Sequence, residues 1–279
     1  MSVVIVTDST AHLPYGVAER HGIRVVPLHV LIDGVEATDG HEIGPGELVE
    51  ALQQRSSVTT SRPTPEEFAA VFRRELEAGA DSVVSLQLSS ELSGSWESAV
   101  MAAQQVDPAR VRVVDSRSTA MGLGFCALHA ARSAAAGAGV DEVEQAAVTA
   151  AADSDMYFMV RTLEYLRRGG RVGPGAAALG TALAVKPVLR MVDGLITPIE
   201  KVRTTQRALS RIVELAEAAA GTAEVELAVH HLGAAELAGQ LAERLVQHIP
   251  RAQWCAVSEV GAVIGAHTGP GVLGVAIQR

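Results

Sequence analysis

The chain has 279 residues, 48% hydrophobic, 20% charged and 3% aromatic, with 23 Lys and Arg against 32 Asp and Glu for a formal charge of -9. That composition excludes intrinsic disorder and collagen-like repeats. Acidity and few aromatic rings also argue against a nucleic-acid binder, whose affinity comes from phosphate neutralisation and base stacking, and at about 150 residues per domain the length predicts about two domains or one large α/β unit.

Residues 3–6, Val-Val-Ile-Val, read as a first strand running into the turn Thr7-Asp8-Ser9-Thr10, with Pro14 near the start of the next helix. No basic segment followed by a long apolar core precedes them, so a cytoplasmic protein is expected. Residues 23–32 are rich in β-branched side chains and read as a strand that stops at the hairpin dipeptide Asp33-Gly34. Thr64-Pro65-Glu66-Glu67 forms a capping box with proline at the first helical position, where its missing N–H costs nothing. Phe68, Val71, Phe72 and Leu76 then share one face of the helix that follows. Residues 82–88 and 110–114 are further buried-type strands, each leading through a serine-rich turn to an alanine-rich helix, which is the rhythm of parallel βα units.

Beyond residue 153 the rhythm changes. Met156-Tyr157-Phe158-Met159-Val160 precedes a glycine-rich stretch at 169–180, a strand pair around Asp193-Gly194, a helix over 205–220, a strand over 225–230, a helix over 234–247 and C-terminal strands. The domain boundary is therefore expected at about 153, with an N-terminal α/β domain over 1–153 and a C-terminal α/β domain over 154–279. No apolar run reaches the roughly 20 residues that cross a bilayer. The two cysteines, Cys126 and Cys255, lie far apart, and neither a disulfide framework nor a metal site is expected. Residues 161–211 hold ten Lys and Arg against three acids, a local excess of +7 in an acidic chain. That stretch is either a solvated surface paired with acids of the same chain or a face for an anion or partner.

Four hydroxyl-rich turns are candidate anion sites: residues 7–10, 57–64, 89–95 and 115–119. In parallel sheets ligands bind beyond the carboxyl ends of strands, where helix N-termini offer free N–H groups. The same residue types serve equally as plain helix caps. His267 lies in Gly261-Ala262-Val263-Ile264-Gly265-Ala266-His267-Thr268-Gly269-Pro270-Gly271, where glycines would let backbone approach a ligand closely. There is no GxxxxGK[ST] loop, no GxSxG elbow and no HExxH pair, and the vicinal His230 and His231 point to opposite faces of a strand.

Seven motifs together resemble the DegV family of bacterial lipid-binding proteins. They are Val6-Thr7-Asp8-Ser9-Thr10, Thr60-Ser61-Arg62-Pro63-Thr64-Pro65, Ser90-Glu91-Leu92-Ser93-Gly94-Ser95-Trp96, Val114-Asp115-Ser116-Arg117, Leu163-Glu164-Tyr165-Leu166-Arg167-Arg168-Gly169-Gly170-Arg171, Lys201-Val202-Arg203-Thr204, and Gly265-Ala266-His267-Thr268-Gly269-Pro270-Gly271. The resemblance spans essentially the whole chain. It implies a two-domain α/β fold, an N-terminal three-layer α/β/α domain with a mainly parallel sheet and a C-terminal domain with a mixed sheet, with a lipid tunnel between them. It implies further that the protein binds a long-chain fatty acid and, without catalysing the reaction, presents its carboxylate to a separate ATP-binding fatty acid kinase subunit for conversion to acyl phosphate, feeding phospholipid synthesis. No cofactor is implied, and transient contact with a membrane surface fits such a role. Carried over by position, Thr60, Ser61, Ser93 and His267 would hold the carboxylate, and Arg171 and Arg203 would dock the kinase subunit or its phosphates. Two departures from the family pattern stand out: Arg62 stands where glutamine is usual, and Ser95-Trp96 replaces Thr-Tyr. The alternatives are a self-contained enzyme, either a Ser93/His267 hydrolase or a relative of the dihydroxyacetone kinases, and a carrier of another apolar carboxylate.

Overall fold

The computed structural model describes residues 2–172 and 185–279, so the glycine-rich stretch expected at 169–180 lies outside the described residues from 173 onward. In chain order, strand β1 (Val3–Asp8) is followed by helix α1 (Val17–Arg20), β2 (Arg24–Val26), β3 (His29–Ile32), β4 (Val35–Thr38), α2 (Pro45–Gln53) and β5 (Val58–Ser61). Next come α3 (Pro65–Glu77), β6 (Ser82–Gln87), α4 (Ser95–Val106), β7 (Val111–Asp115), α5 (Met121–Ala135) and α6 (Val140–Ala152). The remainder is β8 (Ser154–Met159), α7 (Glu164–Arg168), β9 (Lys186–Val192), β10 (Leu195–Val202), α8 (Thr205–Ala220), β11 (Val225–His231), α9 (Ala235–His248), β12 (Ala252–Glu259), α10 (Ala262–Thr268) and β13 (Leu273–Gln278). None of these helices is long and apolar enough to cross a membrane.

Two compact units result. The first consists of residues 1–29 and 61–153 and the second of 30–60 and 154–279, so residues 30–60, placed above in the N-terminal domain, associate with the second unit. The reason lies at Pro27. The β-branched run 23–32 reads as one strand, but it is interrupted at Pro27-Leu28 and its halves join different sheets, β2 beside β1 and β3 between β4 and β5.

In the first unit the order β2-β1-β6-β7 is parallel throughout, with Val6 opposite Arg24 on one side and Ser85 on the other. Parallel strands buried on both faces need largely apolar runs, which residues 3–6 of β1 supply, while β6 also buries Ser85 and Gln87, the Gln87 amide donating to the Ser85 hydroxyl at 2.9 Å. Val6, Val83 and Val111 pack with Phe68 and Phe72 of α3 and Ala99 and Ala102 of α4. Helices α5 and α6 pack on β1, β6 and β7. The α3 cap is formed as its sequence implies, with the Thr64 hydroxyl accepting from the Glu67 N–H and the Glu67 carboxylate accepting from the Thr64 N–H.

The second unit is built on a mixed sheet in the order β10-β9-β8-β13-β11-β12, antiparallel except for the β11–β12 pair. Leu209, Ile212, Val213 and Ala216 of α8 and Leu241 and Leu245 of α9 recur at helical spacing and pack on Leu227, Val229, Val275 and Ile277. Each such fully buried side chain stabilises the fold by about 1.5–3 kcal/mol. Truncating Ile212 to alanine, at 0% exposure, is the single change expected to damage this core most directly.

Candidate functional site

In the first unit, the chain leaves β1 toward β2 on one side and toward β6 on the other, so the crevice of an open parallel sheet falls at the carboxyl ends of β1 and β6. Three of the four hydroxyl-rich turns, residues 7–10, 89–95 and 115–119, gather there, and most of their polar groups serve one another, whereas in the fourth stretch residues 58–61 form strand β5 beside β3 rather than a turn. Buried Asp8 accepts from the Thr10 N–H at 2.9 Å and, across to the end of β6, from the Leu88 N–H at 2.8 Å. Asp115 accepts from the Ser90 hydroxyl at 2.6 Å and the Arg117 N–H at 2.8 Å, and the Ser89 N–H donates to the Ser118 carbonyl at 2.8 Å. Ser93, in the loop entering α4, accepts from the Ser95 N–H at 3.3 Å and lies 3.0 Å from the Ser95 hydroxyl. Its hydroxyl therefore helps turn the chain into α4 and has no base beside it among the described residues.

Of the residues that depart from the family pattern, Ser95 and Trp96 open α4, and Arg62, between β5 and α3, reaches the loop that precedes α4. Arg62 donates to the Gly94 carbonyl at 3.2 Å, and a Cβ on Gly94 would lie 1.6 Å from its guanidinium. Arg62 thus lies across the backbone at Gly94, and its exposed guanidinium would have to move aside for any side chain there. The Trp96 indole N–H is buried without a hydrogen-bond partner among the described residues.

In the second unit His267 meets Thr60. The Thr60 hydroxyl on β5 and His267 Nε2 on α10 are 2.8 Å apart, across 207 residues of sequence. Burial, reinforced by the Arg171 guanidinium, pushes His267 down from 6.5 to about 4, so the imidazole is neutral at physiological pH. A neutral imidazole carries one donor, and so does the hydroxyl. One of these two hydrogens forms the bond between them, leaving the other donor of the pair unused among the described residues: the Thr60 hydroxyl hydrogen if Nε2 is protonated, Nδ1–H if it is not. An unused donor beside a guanidinium suits an anion.

The glycines around His267 serve protein side chains rather than open space. A Cβ on Gly169 would lie 2.3 Å from His267 Nδ1, one on Gly265 2.3 Å from Leu48 Cδ2, and one on Gly269 2.3 Å from the Tyr165 ring. Helix α10 is thus seated against α2 and α7 by close approach.

Ser61 follows Thr60 on β5, where strand alternation turns its side chain to the opposite face. Arg171 is half-buried and donates to the Gly169 carbonyl, which couples it to the His267 pocket. Arg203 is exposed at the end of β10 and makes no ion pair among the described residues. Part of the positive excess is paired within the chain: Arg168 with Glu164 at 2.7 Å, Arg190 with Asp155 at 3.4 Å, and Arg211 with Glu200 at 2.7 Å and Glu214 at 2.8 Å. Sequence reasoning missed Gly169 and Tyr165 as walls of the histidine pocket, and their place in a Tyr-x-x-x-Gly spacing carried no local signal of it.

The DegV family model matches residues 2–279. The chain belongs to the DegV family. A DegV domain-containing protein of Streptomyces coelicolor is 54% identical over 276 residues, covering 99% of this chain and 98% of that one. Among solved structures, a DegV family protein from Thermus thermophilus, described by its fatty acid binding, superposes with a TM-score of 0.95 at 36% identity, with 100% of both chains covered. DegV of Bacillus subtilis, described as a fatty acid binding protein, superposes with a TM-score of 0.90 at 34% identity, covering 100% of this chain and 99% of that one. The parallel sheet and the mixed sheet are accordingly those of the DegV fold.

Proposed function

We propose that this protein binds a long-chain fatty acid by its carboxylate and presents that carboxylate to a separate ATP-dependent kinase subunit, which converts it to an acyl phosphate. The observation that carries the reading is the half-buried Thr60–His267 pair, neutral and with a donor unused among the described residues, in a chain whose structural relatives are described as fatty acid binding. Neutral donors orient a carboxylate while leaving one oxygen able to attack a phosphoryl group, whereas a bidentate arginine would occupy both oxygens. Ser61 and Ser93 are assigned to the same head group on the family resemblance alone. The kinase step rests on that resemblance too, and on the sequence having no phosphate-cradling motif of its own.

A self-contained hydrolase fits less well. Ser93 lends its hydroxyl to Ser95 at the start of α4, and among the described residues no orienting acid meets His267, beside which the cationic Arg171 acts. The test is to incubate the purified protein with a fatty acid and ATP, with and without a fatty acid kinase ATP-binding subunit. Acyl phosphate is expected only in the complete mixture; its formation by the protein alone, or ester hydrolysis abolished by Ser93→Ala, would overturn the reading.

A further inference from the structure

Residues 30–60 grip α10 at three successive points. Asp39 Oδ1 accepts from the Ala262 N–H at 2.9 Å, Leu48 fills the space that Gly265 leaves, and Thr60 bonds His267. The first grip is the least obvious, because Asp39 and Ala262 are separated by 223 residues. Helix α10 begins after Gly261, which has no side chain to cap it, and both Ala262 (0% exposed) and Asp39 (3% exposed) are shut away from water. A buried first-turn N–H needs an acceptor, and a carboxylate is the strongest available. Asp39 itself sits in a tight loop closed by the Gly40 N–H to the Ile43 carbonyl at 2.9 Å and by Glu42, whose carboxylate accepts from the Thr38 N–H at 2.8 Å.

We propose that Asp39 is a positioning residue for His267: by tethering the first N–H of α10 it fixes the height and rotation at which the imidazole meets Thr60. The helix has seven residues, so at about 1.5 Å per residue the tether and the imidazole are less than two turns apart. A slip at Ala262 is carried almost undamped to His267. Asp39 does not touch the ligand; its effect runs through α10. The inference rests on the reading of His267 as a carboxylate-binding group and extends it to the residue that aims it.

The tether can be cut from either end in the full-length protein. Asp39→Ala removes the acceptor. Ala262→Pro removes the donor at a first helical position, which proline favours, and after a Gly261 that is already extended at φ -70 and ψ -179. Asp39→Asn keeps an acceptor oxygen and serves as the rescue. Two readouts are taken: affinity for oleate, and the pH titration of the His267 imidazole by NMR, assigned against His267→Ala. Asp39→Ala and Ala262→Pro are each expected to weaken oleate binding by about tenfold, the equivalent of about one hydrogen bond. Asp39→Asn should stay within about twofold, and in a His267→Ala background Asp39→Ala should add almost nothing, since coupled residues are not additive. The imidazole should titrate higher than its wild-type value of about 4 in both tether variants.

Wild-type affinity and an unchanged titration in folded Asp39→Ala and Ala262→Pro would overturn the proposal. So would a loss that is the same with and without His267. If instead His267→Ala binds oleate as tightly as wild type, the fatty acid reading fails, while the titration of His267 in the tether variants still decides whether Asp39 aims it.

Discussion

Thr60→Val exchanges a hydroxyl for a methyl group of nearly the same shape, so it tests the Thr60–His267 bond with little repacking. The bond is 2.8 Å long, and the imidazole is buried deeply enough, beside Arg171, to be neutral with its pKa at about 4. Without the hydroxyl, Nε2 stays buried and loses its partner, which costs about 1–3 kcal/mol of stability. The same change removes either the donor that reaches the carboxylate or the group that sets the donating tautomer. A hydrogen bond to a charged group contributes about 1.5–3 kcal/mol, so oleate affinity should fall roughly 10- to 150-fold. Displacement of a fluorescent fatty acid gives the affinity and thermal melting gives the stability. Thr60→Ser, which keeps the hydroxyl, should bind within about threefold of wild type. Full affinity in Thr60→Val, or an equal loss in Thr60→Ser, would refute the assignment of the hydroxyl to the head group.

Acid should weaken the fold through His267. Its pKa is lowered to about 4 in the folded chain from 6.5, so the unfolded chain binds more protons between those values and the contribution is complete above pH 6.5 and lost as pH falls toward 4. That loss amounts to about 3 kcal/mol, and His267→Gln should flatten the stability profile over this window in denaturant titrations. Gly269→Ala should cost about 1–3 kcal/mol by overpacking, and more through strain, because Gly269 has φ +74 and a Cβ there would meet the Tyr165 ring; equal melting curves would contradict this. Arg203→Glu, at an exposed position without an ion pair among the described residues, should leave melting and oleate affinity unchanged and slow acyl phosphate formation with a kinase subunit. The gap to wild type should close as salt screens the field, and a loss of oleate affinity would count against a docking role.

Local chemistry made much of the fold legible. Asp33-Gly34 and Asp193-Gly194 both turn hairpins with positive φ at each residue (51 and 84, 50 and 84), the type I′ geometry these dipeptides favour. The Thr64 capping box and the α8 span of Thr205–Ala220 likewise follow from side chains that act within a few residues. What depended on distant partners was hidden. The run 23–32 shows β propensity but not which sheet each half joins. Helix α10 is short and glycine-flanked, because Gly265 within it answers to Leu48 and Gly269 just after it to Tyr165 rather than to helix propensity. For the site, His267 and Thr60 were both candidates from sequence, yet their bond spans 207 residues, and Asp39 offered no signal at all. For Arg171, which the resemblance assigns to docking, the bond to the Gly169 carbonyl and the field on His267 likewise depend on distant partners that the sequence does not show.

The central claim is that this chain holds a fatty acid by its carboxylate, and mass spectrometry of the organic extract of the purified protein tests it most directly. About one equivalent of a monocarboxylic lipid is expected per chain, in the range of roughly C14 to C18 that a pocket enclosing most of its ligand would accept, and markedly less should be retained by Thr60→Val. Extracts free of such acids, together with no binding when they are titrated back, would contradict it.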